Sequence, residues 1–175
     1  MKTERIELPI EIRSAEASQL DTFEEHFSPN NRAKYHHHRF AVQQQGEGVY
    51  LIAWHDDEPV GHFLLRWGGP AHDPTGQYPR HTPYLESGGT KPALQSRGVG
   101  TRMVREAERM ASEKGYRHIG LAVGSMDNPH ARRLYERLGY HDWGKGEFTV
   151  SWDYETNDGR KGIESEICIY MFKVL

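Results

Sequence analysis

One stretch of about 40 residues, from Tyr84 to Val123, constrains the fold of this chain more than any other. Tyr84-Leu85-Glu86-Ser87 is strand-like and runs into Gly88-Gly89, a pair that predicts a bulge or a close approach to the backbone. From Val99 to Lys114, Val99, Met103, Val104, Ala107, Met110 and Ala111 fall on one helical face. Arg102, Arg105, Glu106, Arg109 and Glu113 fall elsewhere. Gly115 supplies the C-terminal stop, and His118-Ile119-Gly120-Leu121-Ala122-Val123 reads as a further strand. Strand, helix and strand at this spacing require a crossover connection, and therefore a parallel strand pair.

The flanks add antiparallel material. Ile10–Arg13 alternates like a short strand, and Ser14 is placed to cap a helix to about Phe27, with Ala17, Leu20 and Phe23 or Phe27 inward. Ser28 to Gln45 is polar and rich in His and Gln, and reads as a second, weakly amphipathic helix. Val49–Trp54 and Val60–Trp67 form a hairpin around His55–Pro59, and Gly68 to Pro83 is a long loop. Asn128-Pro129 opens a helix with the stripe Ala131, Leu134, Tyr135 and Leu138, closed by Gly139. Glu147–Tyr154 and Ser165–Val174 are strands joined by Asn157-Asp158-Gly159. The fold class is α/β in the α+β sense: one domain over residues 1–175, with a mixed, mostly antiparallel sheet, a parallel central pair and about four helices.

Composition removes several functions. Lys and Arg total 22 against 25 Asp and Glu, a net charge of −3, which argues against nucleic acid as a partner. No apolar run approaches a membrane span and the start lacks a signal-like stretch, so the expectation is a cytoplasmic protein with no membrane association. The single cysteine, Cys168, excludes an internal disulfide and any Cys-based zinc finger, and is expected to be buried. His36-His37-His38 cannot share one helix face, so no metal is expected there; a solvated helix or a substrate rim is the reading. His72-Asp73 and His141-Asp142 are adjacent in sequence, a poor geometry for a catalytic dyad.

Gln95-Ser96-Arg97-Gly98-Val99-Gly100 lies between a strand and the start of the best helix. Glycines allow close approach, and the free N–H groups of a helix N-terminus attract an anion. No Gly-Lys-Ser/Thr follows, so it is not a P-loop, and the third glycine of a dinucleotide fingerprint is missing. A plain tight turn into a helix is the other reading of this hexapeptide.

A second block follows 28 residues after Gly100: Asn128-Pro129-His130-Ala131-Arg132-Arg133-Leu134-Tyr135-Glu136-Arg137-Leu138-Gly139-Tyr140. Together the two blocks resemble the GNAT superfamily of acyl-CoA-dependent N-acetyltransferases. The first is similar to that family's Gln/Arg-x-x-Gly-x-Gly/Ala phosphate loop, and the second to its Asn-x-x-Ala-x-x-Leu-Tyr-x-x-x-Gly-Phe/Tyr helix. The resemblance implies acetyl-CoA as acyl donor, no metal, and transfer to a primary amine by direct attack through a tetrahedral intermediate, without a covalent acyl-enzyme. It implies that Gln95, Ser96, Arg97, Gly98, Val99, Gly100 and Thr101 hold the pyrophosphate. Gly88, Gly89 and Thr90 would end the fourth strand where it splays from the fifth, and the pantetheine arm would lie there as a pseudo-strand. Asn128 would contact that arm.

For catalysis, the resemblance implies that Tyr135 faces the sulfur and protonates the leaving thiolate, a phenol being protonated at neutral pH. The alternative for Tyr135 is a plain core residue on the stripe of its helix. Glu86 is the candidate base, on the strand leading to the reaction centre; a salt-bridged strand carboxylate is the alternative. Gly88-Gly89-Thr90 departs from the apolar run usual in the family at this strand end, and Ser96 stands where glycine is common. Trp143, Trp152, Asp153, Tyr154 and Glu155 could wall a cationic acceptor, or form an ordinary sheet face with Val150 and Trp152 inward. A non-catalytic acyl-CoA-binding or sensing domain is the runner-up, and an unrelated nucleotide-binding module a third reading. The acceptor is a small-molecule or peptide amine, and the sheet edges could support a homodimer.

Overall fold

The computed structural model describes residues 8–27, 31–126 and 128–175. One sheet contains eight strands: β1 (Glu11–Ser14), β2 (Gly48–His55), β3 (Glu58–Arg66), β4 (Tyr84–Thr90), β5 (His118–Gly124), β6 (His141–Asp142), β7 (Phe148–Glu155) and β8 (Lys161–Val174). Their order is β1-β2-β3-β4-β5-β8-β6, with β7 also on β8. Among the described residues every strand pairing is antiparallel except β4 with β5. Four helices flank it: α1 (Leu20–Phe27), α2 (Tyr35–Gln44), α3 (Val99–Glu113) and α4 (Pro129–Arg137).

The parallel pair is short. Tyr84 pairs with Gly120 and Leu85 with Leu121, after which β4 runs on to Thr90 and β5 to Gly124 without pairing. The sheet therefore splits open along one line, with no strand pairing between β4 beyond Leu85 and β5 beyond Leu121 among the described residues. On one face α3 buries Val99, Met103, Val104 and Ala107 against Leu51, Leu65, Leu85, Ile119 and Leu121. On the other, Leu20 and Phe23 of α1 and Phe40 and Val42 of α2 pack on Tyr50, Ile52 and Leu64. The long helix ends as its glycine predicts: Gly115 has φ +89°, and the Tyr116 N–H reaches back to the Ala111 carbonyl at 3.1 Å.

The bulge is real and lies in β4. Leu64 pairs with Glu86 and His62 with Gly89, so three steps along β4 match two along β3. A Cβ on Gly88 would stand 2.0 Å from the His62 carbonyl oxygen and 2.7 Å from the Phe63 ring. It is β3 itself that approaches the glycine, and no side chain fits between.

Several local expectations need correction. Ser14 does not cap a helix: it is the last residue of β1, and a 3-10 turn over Ala17–Gln19 precedes α1. The cap is Glu16, which exchanges hydrogen bonds with Gln19 in a capping box. Ala17 is exposed. The second helix spans only Tyr35–Gln44, and residues 28–30 of the expected one lie outside the described residues. His36 is no surface rim; it is fully buried, with only His37 and His38 of the triplet exposed. Trp152 does not point inward but is 40% exposed, because β7 and the first half of β8 project beyond the end of β5.

Candidate functional site

On the α3–α4 side of the split, the loop before α3 presents backbone. Gly98 occupies the N-cap position at φ +86° with no side-chain cap, so the first N–H groups of α3 are left for an external partner. Ser96 also sits in the left-handed region, at φ +61°, while Arg97 and Gly98 are exposed and Val99 anchors the turn in the core. The Gln95 side chain donates to the Thr90 carbonyl at 3.4 Å, tying the loop to the end of β4. A Cβ on Gly100 would lie 3.5 Å from Leu134, so the first turn of α3 and helix α4 are in contact. The two motifs that stand 28 residues apart in sequence thus meet in space.

Asn128 caps α4, accepting from the Ala131 N–H at 3.1 Å, and its Nδ2 has no hydrogen-bond partner among the described residues. Tyr135 is buried in the same core, edge-on to Tyr140 at 5.7 Å between centroids. Burial pushes its phenol up to about 12, so it carries its proton throughout the neutral range. These residues fit an acyl-CoA. An uncapped helix N-terminus behind an open glycine suits a diphosphate, and the unpaired edge of β4 beyond Leu85 suits an extended amide-bearing arm.

The α1–α2 side of the split is made of side chains. Glu86 projects there and is ion-paired with Arg66, while Arg39 donates to the Glu86 carbonyl at 3.5 Å. Tyr84 and Tyr170 stack with Tyr78 from the long loop, whose centroid lies 4.6 Å from that of Tyr170. His36 bonds the Tyr50 hydroxyl at 2.5 Å, and its desolvation lowers it to about 4. His62 is buried beside it and is likewise held neutral, chiefly by burial. Cys168 is buried, and burial with the adjacent Glu166 carboxylate raises its thiol to about 12, which leaves it without nucleophilic thiolate. Among the described residues no group of three or more His, Cys, Asp or Glu is placed to hold a metal ion, and no helix is long and apolar enough to cross a membrane.

Sequence reasoning missed Glu166, His62 and the contact of residues 31–33 with the β7–β8 turn. One signal was available for the first. In β5, Ile119, Leu121 and Val123 alternate with Gly120, Ala122 and Gly124, so one face is core and the other is stripped bare. A stripped face makes room for large groups from a neighbour: the Tyr170 hydroxyl lies over Gly120, and Glu166 over Gly124.

No curated protein matches the chain in sequence. Among solved structures it is similar to the ribosomal-protein-S18-alanine N-acetyltransferase of Escherichia coli, at 18% identity and TM-score 0.65 over 95% of this chain and 94% of that one. An N-acetyltransferase from Staphylococcus aureus Mu50 matches at 13% identity and TM-score 0.66, over 95% and 98%. A GNAT family acetyltransferase from Elizabethkingia anophelis, solved with acetyl-CoA bound, matches at 14% identity and TM-score 0.58, again over 95% and 98%. Residues 14–140 match the sequence model of the acetyltransferase (GNAT) family, and with both of its motifs gathered at one split in the sheet, the chain belongs to that family.

Proposed function

We propose that the chain transfers the acetyl group of acetyl-CoA to a primary amine by direct attack, in the cytoplasm and as a single domain over residues 1–175. The observation that carries this reading is the split between β4 and β5, which has the uncapped start of α3 and helix α4 against one face and an open side-chain face on the other. Acetyl-CoA bound there supplies a thioester, which the acceptor amine opens through a tetrahedral intermediate.

The chain's own groups divide the work. Backbone N–H groups of residues 97–100, with Gln95, Ser96 and Thr101 alongside, hold the pyrophosphate. The free edge of β4 over Gly88, Gly89 and Thr90 aligns the pantetheine arm, and a bulge N–H stabilises the oxyanion. Asn128 contacts the arm through its amide nitrogen. Tyr135, kept protonated by burial, gives its proton to the departing thiolate. Glu86, ion-paired with Arg66 on the strand leading to the reaction centre, takes the first proton of the incoming ammonium, directly or through water, and passes it to solvent, while the second proton of the attacking nitrogen restores the Tyr135 phenol. The buried, protonated Cys168 supports attack without an acyl-enzyme.

Thermal unfolding with acetyl-CoA, and with ATP and NAD as controls, tests this directly. At about 100 times its dissociation constant a ligand adds roughly 2.7 kcal/mol, or about 5–10 °C for a chain of this size. The expected result is such a shift with acetyl-CoA alone, followed by CoA release when an amine is added. No shift at millimolar acetyl-CoA removes the reading.

A further inference from the structure

Three carboxylates line the α1–α2 side of the split, and their charges are met differently. Glu86 on β4 is paired with Arg66, and Glu164 on β8 with Arg32. Glu166, two residues along β8, is half-buried and has no cation beside it among the described residues; its neighbour is the Cys168 thiol. Its position is set by a glycine. A Cβ on Gly124 would stand 2.3 Å from Glu166 Oε1, so the carboxylate lies on the backbone of β5 at that strand's end, beside the opening between β4 and β5. A carboxylate half out of water with no counter-ion favours a ligand that brings a positive charge.

A strap is tied to the β7–β8 turn nearby. Arg32 pairs with Thr156 as an isolated antiparallel bridge, the Ala33 N–H donates to the Glu155 carbonyl at 2.8 Å, and the Asn157 N–H donates to the Asn31 carbonyl at 3.0 Å. The Arg32 guanidinium lies over the Tyr154 ring, 3.7 Å from its centroid. Helix α2, which follows this segment, packs on β2. Residues 31–34 are therefore a strap tied at one end to the β7–β8 turn and at the other to α2, which packs on β2. Trp152 and Tyr154 share a hairpin face with Glu164 and Glu166, since Trp152 pairs with Glu164, and two aromatic rings there suit a cation. Arg32 of that strap sits on Glu164 and Tyr154, close to Glu166, and a small amine needs less room there than a polypeptide.

We propose that Glu166 receives the ammonium of the acceptor, and that the acceptor is a small cationic amine bound beside the strap of residues 31–34. The inference rests on the acetyltransferase reading. The test measures acetyl-CoA-dependent CoA release with spermidine, with tyramine, and with a lysine-containing decapeptide blocked at both ends. Wild type, Glu166→Gln, Glu166→Asp and Glu86→Gln are compared, and the acetyl-CoA thermal shift is recorded for each.

The expected result is turnover of at least one small amine, little of the peptide, and a loss of about 20-fold or more in kcat/KM for Glu166→Gln, carried mainly by KM. Glu166→Asp should recover part of it, Glu86→Gln should show its loss in kcat rather than KM, and the cofactor shift should survive in all. Retention within about two-fold in Glu166→Gln, or peptide turnover equal to that of the small amines, overturns the proposal. A wild type that is stabilised by acetyl-CoA yet consumes none with either amine overturns it too, while leaving the acetyltransferase reading in place. A wild type that acetyl-CoA does not stabilise removes that reading and this inference with it.

Discussion

On the α3–α4 side of the split, what the chain offers a ligand is almost all backbone: N–H groups at an uncapped helix start, and a strand edge with no neighbour. On the α1–α2 side it offers side chains, held by ion pairs and stacked rings from six separate segments of the chain. Backbone sites demand particular conformations, and conformations demand glycines at fixed spacings, which is why the first side is written as a short motif. Side-chain sites can be met by many residue combinations, so the second side carries no short motif.

The sharpest way to break that comparison is at the glycines. Gly88→Ala forces a Cβ into the His62 carbonyl and should cost about 3 kcal/mol or more, a fall in Tm of roughly 6–12 °C. Gly98→Ala meets open space and carries only left-handed strain, about 1–2 kcal/mol. Equal losses in the two variants would refute close approach as the reason for Gly88. Next in size is Tyr135→Phe, expected to lower kcat about 100-fold while the acetyl-CoA thermal shift persists. Unchanged turnover returns Tyr135 to the role of core packing.

Acidity separates the sides as well. His36 is held near 4 in the folded protein, mainly by burial, against 6.5 when unfolded. Below pH 6.5 the unfolded chain takes up a proton that the native state refuses. Stability therefore falls as pH drops from about 6.5 to 4, by up to about 1.4 kcal/mol per pH unit for this group. His62 acts in the same direction. Urea melts at pH 7, 5.5 and 4.5 should show the decline, and His36→Gln should flatten it; an equally steep decline in that variant assigns it to other groups. The smallest expected effect on stability is that of Arg32→Ala. Its partner Glu164 is 43% exposed, so the pair contributes no more than about 1 kcal/mol, or 2–4 °C. The same variant should admit the blocked decapeptide as an acceptor, and continued exclusion would show that the strap does not set acceptor size.

Where the chain repeats at the helical or strand period, its structure was legible. The apolar stripe from Val99 to Ala111, the β2–β3 hairpin and the Asn128 cap all follow from local pattern. Helix α2 was blurred because its buried face includes His36 and Arg39, polar groups accommodated only by partners such as Tyr50 and Glu86 far along the chain. The exposure of Trp152 was illegible for a related reason: alternation says that two faces differ, but not what covers each residue on them. For the candidate site, the loop at Gln95–Gly100 and helix α4 could be read. For Glu166, the bare β5 face could be read but its lack of a counter-ion could not, since that depends on Arg66 and Arg32 having already taken the other two carboxylates.

The place of β8 in the sheet has a consequence for synthesis. It lies between β5 and the edge formed by β6 and β7, and among the described residues those two strands pair with nothing else in the sheet. A chain growing from its N-terminus completes β4, the Gln95–Gly100 loop, α3, β5 and α4 before residues 161–174 exist. Until then the Tyr170 and Glu166 side chains that lie over Gly120 and Gly124 are missing, and β6 and β7 lack the strand they pair with. The two sides of the split are thus separated in time of synthesis, and the core beneath α3 and α4 is closed only when Ile169 and Met171 of the last strand arrive.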